Sequence, residues 1–348
     1  MPLFYAAFIP GLQNFIAETV KERLADAVIH KLLDGAVLFE TETSYDKLNF
    51  FCFNNIFAVI SVMENAESSN AVERHIGAFL NGGEKTPAAL EVISNNSKNF
   101  RTFRIVVSGE NKPAAIDEKL RMEAEKLISR LSGLKVNRAL PDTEFWFLFR
   151  REEKERGGNI SIFMKRLTIR SSWEKTLHKG ELPPPLAWTL CRLARLSHGD
   201  TVLDPFCGYG SIPEEAMKHF HITKFIACDN DKKAASCTNA RFKKRKGDFI
   251  FHQVDFEELP SLTAEKSVDA VVTDPPWGQY RKIEDGTFHK KMFDVFKKLL
   301  KEGGRAVVLY ANDDSFKKAV PGCFKLEGSI PILLSGRKAA VYQFSLLK

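Results

Sequence analysis

The segment Val271 to Gly278 places an acid, two prolines and an aromatic, Asp274, Pro275, Pro276 and Trp277, at the end of an apolar run. An amino group conjugated to a purine ring is a poor nucleophile. A site that makes it react must accept its hydrogen bonds while positive charge develops in the transition state. The Asp274 carboxylate and the Pro275 carbonyl can be such acceptors, and two prolines hold the turn rigid. Trp277 offers a flat face on which an extruded base can stack, a contact worth about 1–3 kcal/mol. Taken alone, the four residues also suit a rigid turn around a buried tryptophan.

Two further elements lie upstream. Val202, Leu203 and Asp204 run into a tight turn with Gly208 and Gly210 before a helix predicted over Ile212 to Lys218. In an open α/β sheet a nucleoside ligand binds at such a point, where strand carboxyl ends meet helix amino ends and glycine admits a close backbone approach. The next predicted strand, Phe225 to Cys228, ends in Asp229, roughly 20 residues beyond the glycines, where a carboxylate can accept hydrogen bonds from both hydroxyls of a ribose. The same layout suits NAD, but a dinucleotide fingerprint wants a third glycine where Pro213 stands, so a mononucleoside-type cofactor is favoured.

Asp204 to Gly210, Asp229 after its strand, and Asp274 to Gly278 together resemble the motifs of the class I amino-methyltransferases, specifically the THUMP-domain RNA methyltransferases that make N2-methylguanosine. The resemblance covers essentially the whole chain. Phe4 to Leu12, with Pro10, Gly11 and Leu12 introducing the first helix, resembles the family's ferredoxin-like module, and Phe103 to Val107 and Asn137 to Asp142 resemble stretches of a THUMP domain. The resemblance implies a front half that captures a structured RNA, tRNA before rRNA, and a back half that methylates guanine N2 with S-adenosylmethionine and no metal. It implies a catalytic set of Asp274, Pro275, Pro276 and Trp277. Asp204, Phe206, Gly208, Gly210, Asp229, Asn230, Asp255 and Phe256 would bind the cofactor: Asp204, Gly208 and Gly210 at its methionine part, Asp229 at its ribose, and Asp255, with Phe256 beside it, at its adenine amino group. Asp255 also reads as a helix N-cap leading into Glu257 and Glu258. His178 to Leu182 resembles the segment that closes over the cofactor. Tyr209, where a small residue is usual, and Gln279 and Tyr280, where a basic residue is common, depart from the pattern.

The positioning elements fall into an α/β plan: a C-terminal Rossmann-like class I methyltransferase domain preceded by an α+β ferredoxin-like module and a THUMP domain. Leu3 to Ile9 reads as a strand, and Leu12, Phe15, Ile16, Thr19, Val20 and Leu24 recur at helical spacing. Val37 to Glu40 and Phe50 to Val62 are strand-rich, whereas Glu64 to Lys98 is polar and turn-prone. Phe103 to Val107 reads as a strand, Asp117 to Leu131 as a helix closed by Ser132 and Gly133, and Glu144 to Phe149 and Ile160 to Met164 as strands flanking a basic turn at Glu155 to Gly158. Ser171 to Pro185, closing on three prolines, reads as a linker. Strands then alternate with helices, as in a parallel, doubly wound sheet. The expected boundaries are 1–65, 66–170, 171–185 and 186–348.

At 348 residues the chain exceeds a single core, and no apolar run approaches the roughly 20 residues that cross a bilayer. The amino terminus does not read as a signal peptide, so a cytoplasmic location is expected; the sequence leaves the oligomeric state open, with a monomer favoured. Cys52, Cys191, Cys207, Cys228, Cys237 and Cys323 are scattered without a paired spacing and read as reduced, mostly buried thiols rather than a zinc site. The net charge of +7 is compatible with a polyanion, and the run Arg241 to Lys246 reads either as a solvated helix end or as a phosphate-contacting patch. Two other readings stand beside the leading one: adenine-N6 methylation of DNA or RNA, and an RNA-binding protein that has lost catalysis.

Overall fold

The first strand, β1 (Leu3–Ala7), buries Phe4, Tyr5 and Ala6 on both of its faces, as a strand inside a covered sheet must. The computed structural model describes all residues except 45–46, 49–50, 67–69, 83–85, 96–98, 111, 152–157, 169–176, 245–247, 278–286, 312–313, 335 and 348. The chain forms two units, one of Met1–Phe8 with Gln13–Ser172 and one of Ile9–Leu12 with Trp173–Lys348.

In the first unit β1 is joined by β2 (Val28–Leu33), β3 (Ala36–Glu40), β4 (Asn55–Glu64), β5 (Thr102–Gly109), two short strands β6 (Lys112–Pro113) and β7 (Lys135–Val136), β8 (Thr143–Arg150) and β9 (Ile160–Arg166). They form one sheet of order β2-β3-β1-β4-β9-β8-β5-β6, with β7 also on β5. Its pairs are antiparallel except that β5 runs parallel to β8 and β7. The parallel pair needs a crossover, supplied by the helix Glu118–Ser132, capped by Asp117 at its start and by Gly133 at φ 73 at its end as the sequence predicts. Phe145, Phe147 and Phe163 are fully buried, the last two stacked at 4.1 Å. The sheet runs unbroken past position 65, because β4, ending at Glu64, pairs along its length with β9.

Three local expectations are corrected. The stretch Glu64 to Lys98 holds two helices, Ala71–Leu80 and Pro87–Ser94. Its helical spacing, with Val72, Ile76 and Phe79 buried, is interrupted by polar turns, and the Thr86 hydroxyl caps the second helix by accepting from the Ala89 amide at 3.1 Å. Strand β2 was not anticipated, since its pattern mixes exposed Val28 with the polar His30 and Lys31. The proline run does not lie in a linker: Pro183 is the N-cap and Pro184 opens the helix Pro184–Leu193. First-turn amides have no partner within a helix, so proline loses nothing there and its fixed φ suits the helix. Ser171, the basic turn at Glu155 to Gly157, Gly83, Asn96 and Ser97 lie outside the described residues.

The second unit carries β10 (Thr201–Asp204), β11 (Lys224–Cys228), β12 (Phe249–His252), β13 (Val268–Thr273), β14 (Leu300–Ala311), β15 (Phe324–Leu334) and β16 (Arg337–Leu346) in the order β12-β11-β10-β13-β14-β16-β15. The first five are parallel, as expected for a Rossmann-like sheet, and β16 inserts antiparallel between β14 and β15. Helices Ser211–His219, Lys232–Phe242 and Thr287–Leu299 connect successive parallel strands. Strand order reverses between β10 and β13, the switch point outside which ligands bind in such sheets. Ile9–Leu12 groups with this unit: the Leu333 amide donates to the Pro10 carbonyl at 3.1 Å. Gly11 sits at φ 101, where a Cβ would fall 2.0 Å from the Pro331 carbonyl oxygen. Among the described residues no helix is long and apolar enough to cross a membrane, and all six cysteines are unbridged, four of them buried.

Candidate active site

Each expected carboxylate stands at or just past the end of a parallel strand: Asp204 closes β10, Asp229 follows β11, Asp255 follows β12 and Asp274 follows β13. Together with Phe206, Gly208, Asn230, Phe256 and Pro276 they line one cavity of about 760 Å³ at the switch point. Three expected residues do not line it. Gly210 is the N-cap of the helix Ser211–His219, and Pro275 is buried. Trp277 is partly buried against the core and donates its indole N–H to an Asp274 oxygen at 2.8 Å. Gly278, Gln279 and Tyr280 lie outside the described residues.

The glycine turn is fixed from both sides. The Gly208 amide donates to Asp229 at 2.8 Å and its carbonyl accepts from the Thr238 hydroxyl at 2.7 Å. Gly210 takes φ 89, and a Cβ there would lie 3.0 Å from the Phe242 ring, so a glycine is needed. Asp229 also accepts from the Asp231 amide at 2.8 Å, so backbone donors orient its carboxylate.

Asp204 is almost wholly buried. One oxygen accepts from the Phe206 amide at 3.1 Å and the Thr273 hydroxyl at 2.7 Å, and the other has no hydrogen-bond partner among the described residues. Burial, reinforced by the neighbouring Asp229 and Asp274, pushes its carboxyl up to about 8 against the pull of those two bonds. Asp274 keeps some surface on the cavity, yet the protein atoms crowding its carboxyl raise it to about 7, with the Trp277 bond opposing.

Asp255 answers to both readings of its sequence. It caps the 3-10 turn Phe256–Glu258 in a capping box with Glu258, and its second oxygen accepts from the Asn230 amide group at 3.0 Å while it lines the cavity. On another wall, Gly180, Glu181 and Leu182 belong to the segment expected to cover a cofactor. Glu181 pins that segment by accepting from the His178 amide, the Ser211 hydroxyl and Arg241, and Tyr209 stacks on His178 at 4.1 Å and 14°. Arg241 is bonded to Glu181 and Glu214, so this member of the basic run serves the fold. Lys243 and Lys244 are exposed, and Arg245 and Lys246 lie outside the described residues. Phe288 and Thr273 were not singled out from the sequence, and Glu181 only as part of the segment His178 to Leu182: Thr273 is simply the last residue of an apolar strand, and Phe288 lies beyond the Asp274 motif in a helix of ordinary apolar periodicity.

Carboxylate oxygens, an orphaned Asp204 oxygen, a glycine turn free of Cβ atoms and aromatic walls fit a nucleoside bearing a polar amino-acid tail. S-adenosylmethionine is such a molecule. Among known proteins, residues 171–325 match the UPF0020 family, described as an RMKL-like methyltransferase domain. The chain is 27% identical to the tRNA (guanine(10)-N2)-dimethyltransferase of Methanocaldococcus jannaschii, over 75% of this chain and 76% of that one. It is 27% identical to the tRNA (guanine(6)-N2)-methyltransferase of Thermus thermophilus, over 65% and 67% of the two chains. The crystal structure of TrmN from Thermus thermophilus superposes with a TM-score of 0.76 at 21% identity, covering all of both chains. The chain is thus an S-adenosylmethionine-dependent class I methyltransferase related to the THUMP-class RNA methyltransferases, and its residues 171–325 match the UPF0020 methyltransferase domain.

Proposed function

We propose that this enzyme methylates the exocyclic N2 amino group of a guanine in a structured RNA, tRNA in preference to rRNA. The observation that carries the reading is that Asp204, Asp229 and Asp274, each from a different strand end, line one cavity. The relatives named above act on guanine N2 of tRNA. S-adenosylmethionine supplies, when bound, a sulfonium methyl already activated for attack by nitrogen.

The chain's own residues then have four tasks. Asp229 accepts from the ribose hydroxyls, and Asp255 with Asn230 and Phe256 holds the adenine. Asp204, Phe206 and the turn through Gly208 and Gly210 hold the remainder of the donor. Asp274, which lines the cavity, accepts from the amino hydrogens of the guanine and fixes the nitrogen in line for transfer, while the buried Pro275 keeps the turn rigid behind it. With its carboxyl near 7, Asp274 is also able to take up the proton that the nitrogen sheds once methylated. Pro276 holds the turn, and Trp277, packed against the core, positions Asp274 through its indole N–H.

In the same reading residues 1–65 are a ferredoxin-like module and 66–170 a THUMP-like domain that captures RNA, sharing one sheet, and the catalytic domain opens with the helix Pro184–Leu193 rather than at 186. The enzyme works as a monomer in the cytoplasm. Incubating the purified chain with labelled donor and, separately, unmodified tRNA, rRNA and duplex DNA, then analysing nucleosides by mass spectrometry, tests this. N2-methylguanosine from tRNA is expected; N6-methyladenine from any of the three would overturn it.

A further inference from the structure

Residues 178–181 form a turn whose two ends are held by different means. The Glu181 amide donates to the His178 carbonyl at 3.0 Å, and Gly180 takes φ 86, the value a type II turn asks of its third residue. At one end the Glu181 carboxylate, almost wholly buried, accepts from the His178 amide at 3.0 Å, the Ser211 hydroxyl at 3.2 Å and Arg241 at 2.9 Å. At the other end the exposed His178 lays its ring on that of Tyr209, with centroids 4.1 Å apart and planes 14° from parallel. Gly180, Glu181 and Leu182 wall the cavity, and so does Tyr209.

The Tyr209 side chain is not needed to shape the glycine turn that carries it. That backbone is fixed by the bonds of Gly208 to Asp229 and Thr238 and by two left-handed glycines, Gly208 at φ 51 and Gly210 at φ 89. A small side chain at 209 would leave all of these in place. What it would remove is the cover on the His178 end of the neighbouring turn. An exposed turn with few buried contacts opens at low cost, and a stacked ring pair raises that cost.

We infer that Tyr209 is a positioning residue whose stack with His178 clasps residues 178–182 over the amino-acid tail of the methyl donor and slows the donor's release. This rests on the donor placement proposed above, in which Asp204 and the turn through Gly208 and Gly210 hold that end of the molecule. The clasped segment reaches the same turn, since Glu181 is bonded to Ser211, the residue after Gly210. The adenine is held elsewhere, at Asp255 beyond β12. A ligand that lacks the tail therefore gains nothing from the clasp.

The test measures release rates by surface plasmon resonance on the immobilised full chain without RNA. The ligands are S-adenosylhomocysteine and 5′-methylthioadenosine, which keeps adenine, ribose and sulfur but lacks the amino-acid tail. Tyr209→Ser and His178→Ala are each expected to speed release of S-adenosylhomocysteine by roughly 5-fold, the scale of one aromatic pair, and to leave 5′-methylthioadenosine unaffected. The double variant should release no faster than either single one, because both changes break the same contact. Tyr209→Phe, which keeps a ring, should return release to the wild-type rate. Unaltered release in both single variants, additive effects in the double variant, or equal acceleration of both ligands would overturn the clasp alone. Failure of the wild type to bind either ligand would overturn the donor placement and the clasp with it. If Tyr209→Ser fails to melt cooperatively, His178→Ala decides by the comparison of the two ligands, since His178 is exposed and its amide bond to Glu181 survives the change.

Discussion

Trp277 donates its indole N–H to Asp274 at 2.8 Å, so the aromatic of the proline turn is a tether for the carboxylate three residues before it. Neither phenylalanine nor a small residue at this position could make that bond. The ring also packs against the core, which makes the tether stiff.

Removing the tether should move the pH dependence of the reaction. The indole bond opposes the rise that burial imposes on Asp274, so in Trp277→Phe the carboxyl titrates above its present value of about 7. Transfer needs the ionised form. The rising limb of the single-turnover rate therefore shifts to higher pH, and the rate at pH 7 falls roughly 10-fold, the scale of one hydrogen bond to a charged group. A limb that stays in place would show that Asp274 does not titrate in the catalytic step.

Asp274 and Asp229 should separate cleanly by assay. Asp274→Ala retains S-adenosylhomocysteine binding while transfer slows by a factor on the order of 100 or more, as for loss of a preorganised acceptor. Asp229→Ala weakens the ligand first, by roughly 10-fold or more for charge-assisted bonds to ribose. It also frees the Gly208 and Asp231 amides that Asp229 holds. Calorimetry beside single-turnover kinetics reads both, and the reverse pattern would mean that the two roles are exchanged.

Asp204 makes a prediction about stability. Its carboxyl titrates near 8 in the fold and near 3.8 in an unfolded chain. The native state therefore binds the extra proton between those values, and this contribution is fully present below about 3.8 and is lost as pH rises through about 8. Asp204→Asn keeps an oxygen to accept from Phe206 and Thr273 and carries no charge at any pH. Without ligand it should melt above the wild type at pH 8, with the gap narrowing towards pH 5. A gap independent of pH would show that Asp204 ionises normally.

Gly210→Ala should cost stability and binding together. Its backbone lies at φ 89 and the added methyl would meet Phe242 at 3.0 Å. Strain of about 1–3 kcal/mol in urea unfolding is expected, with weaker S-adenosylhomocysteine binding because the turn must open.

What the amino-acid order made legible was the set of strand ends. An apolar run that stops at an acid, as at Asp204, Asp229 and Asp274, advertises its position because the switch from buried strand to polar turn is abrupt. The glycine turn was equally plain. Elements whose signals are mixed were not: β2 has an irregular pairing with β3 between Ile29 and Lys31, and the helix Ala71–Leu80 begins from Asn70 in a left-handed conformation without a side-chain cap. The prolines before Leu186 misled because the same residue that breaks a helix interior is at home in its first turn. Phe288 was invisible for another reason, since nothing local distinguishes a ring that reaches a ligand cavity from one that fills a core.

The close approach of Gly11 to Pro331 bears on solubility. β15 is the outermost strand of its sheet, and a bare outer strand is a template on which another molecule can lay down its own backbone and seed aggregates. Here the Leu333 donor is already given to Pro10, and Pro331 has no donor to give. A side chain in place of Gly11 would push the amino-terminal segment off this strand, and we expect the damage to surface as clumping of otherwise folded molecules as well as lost stability.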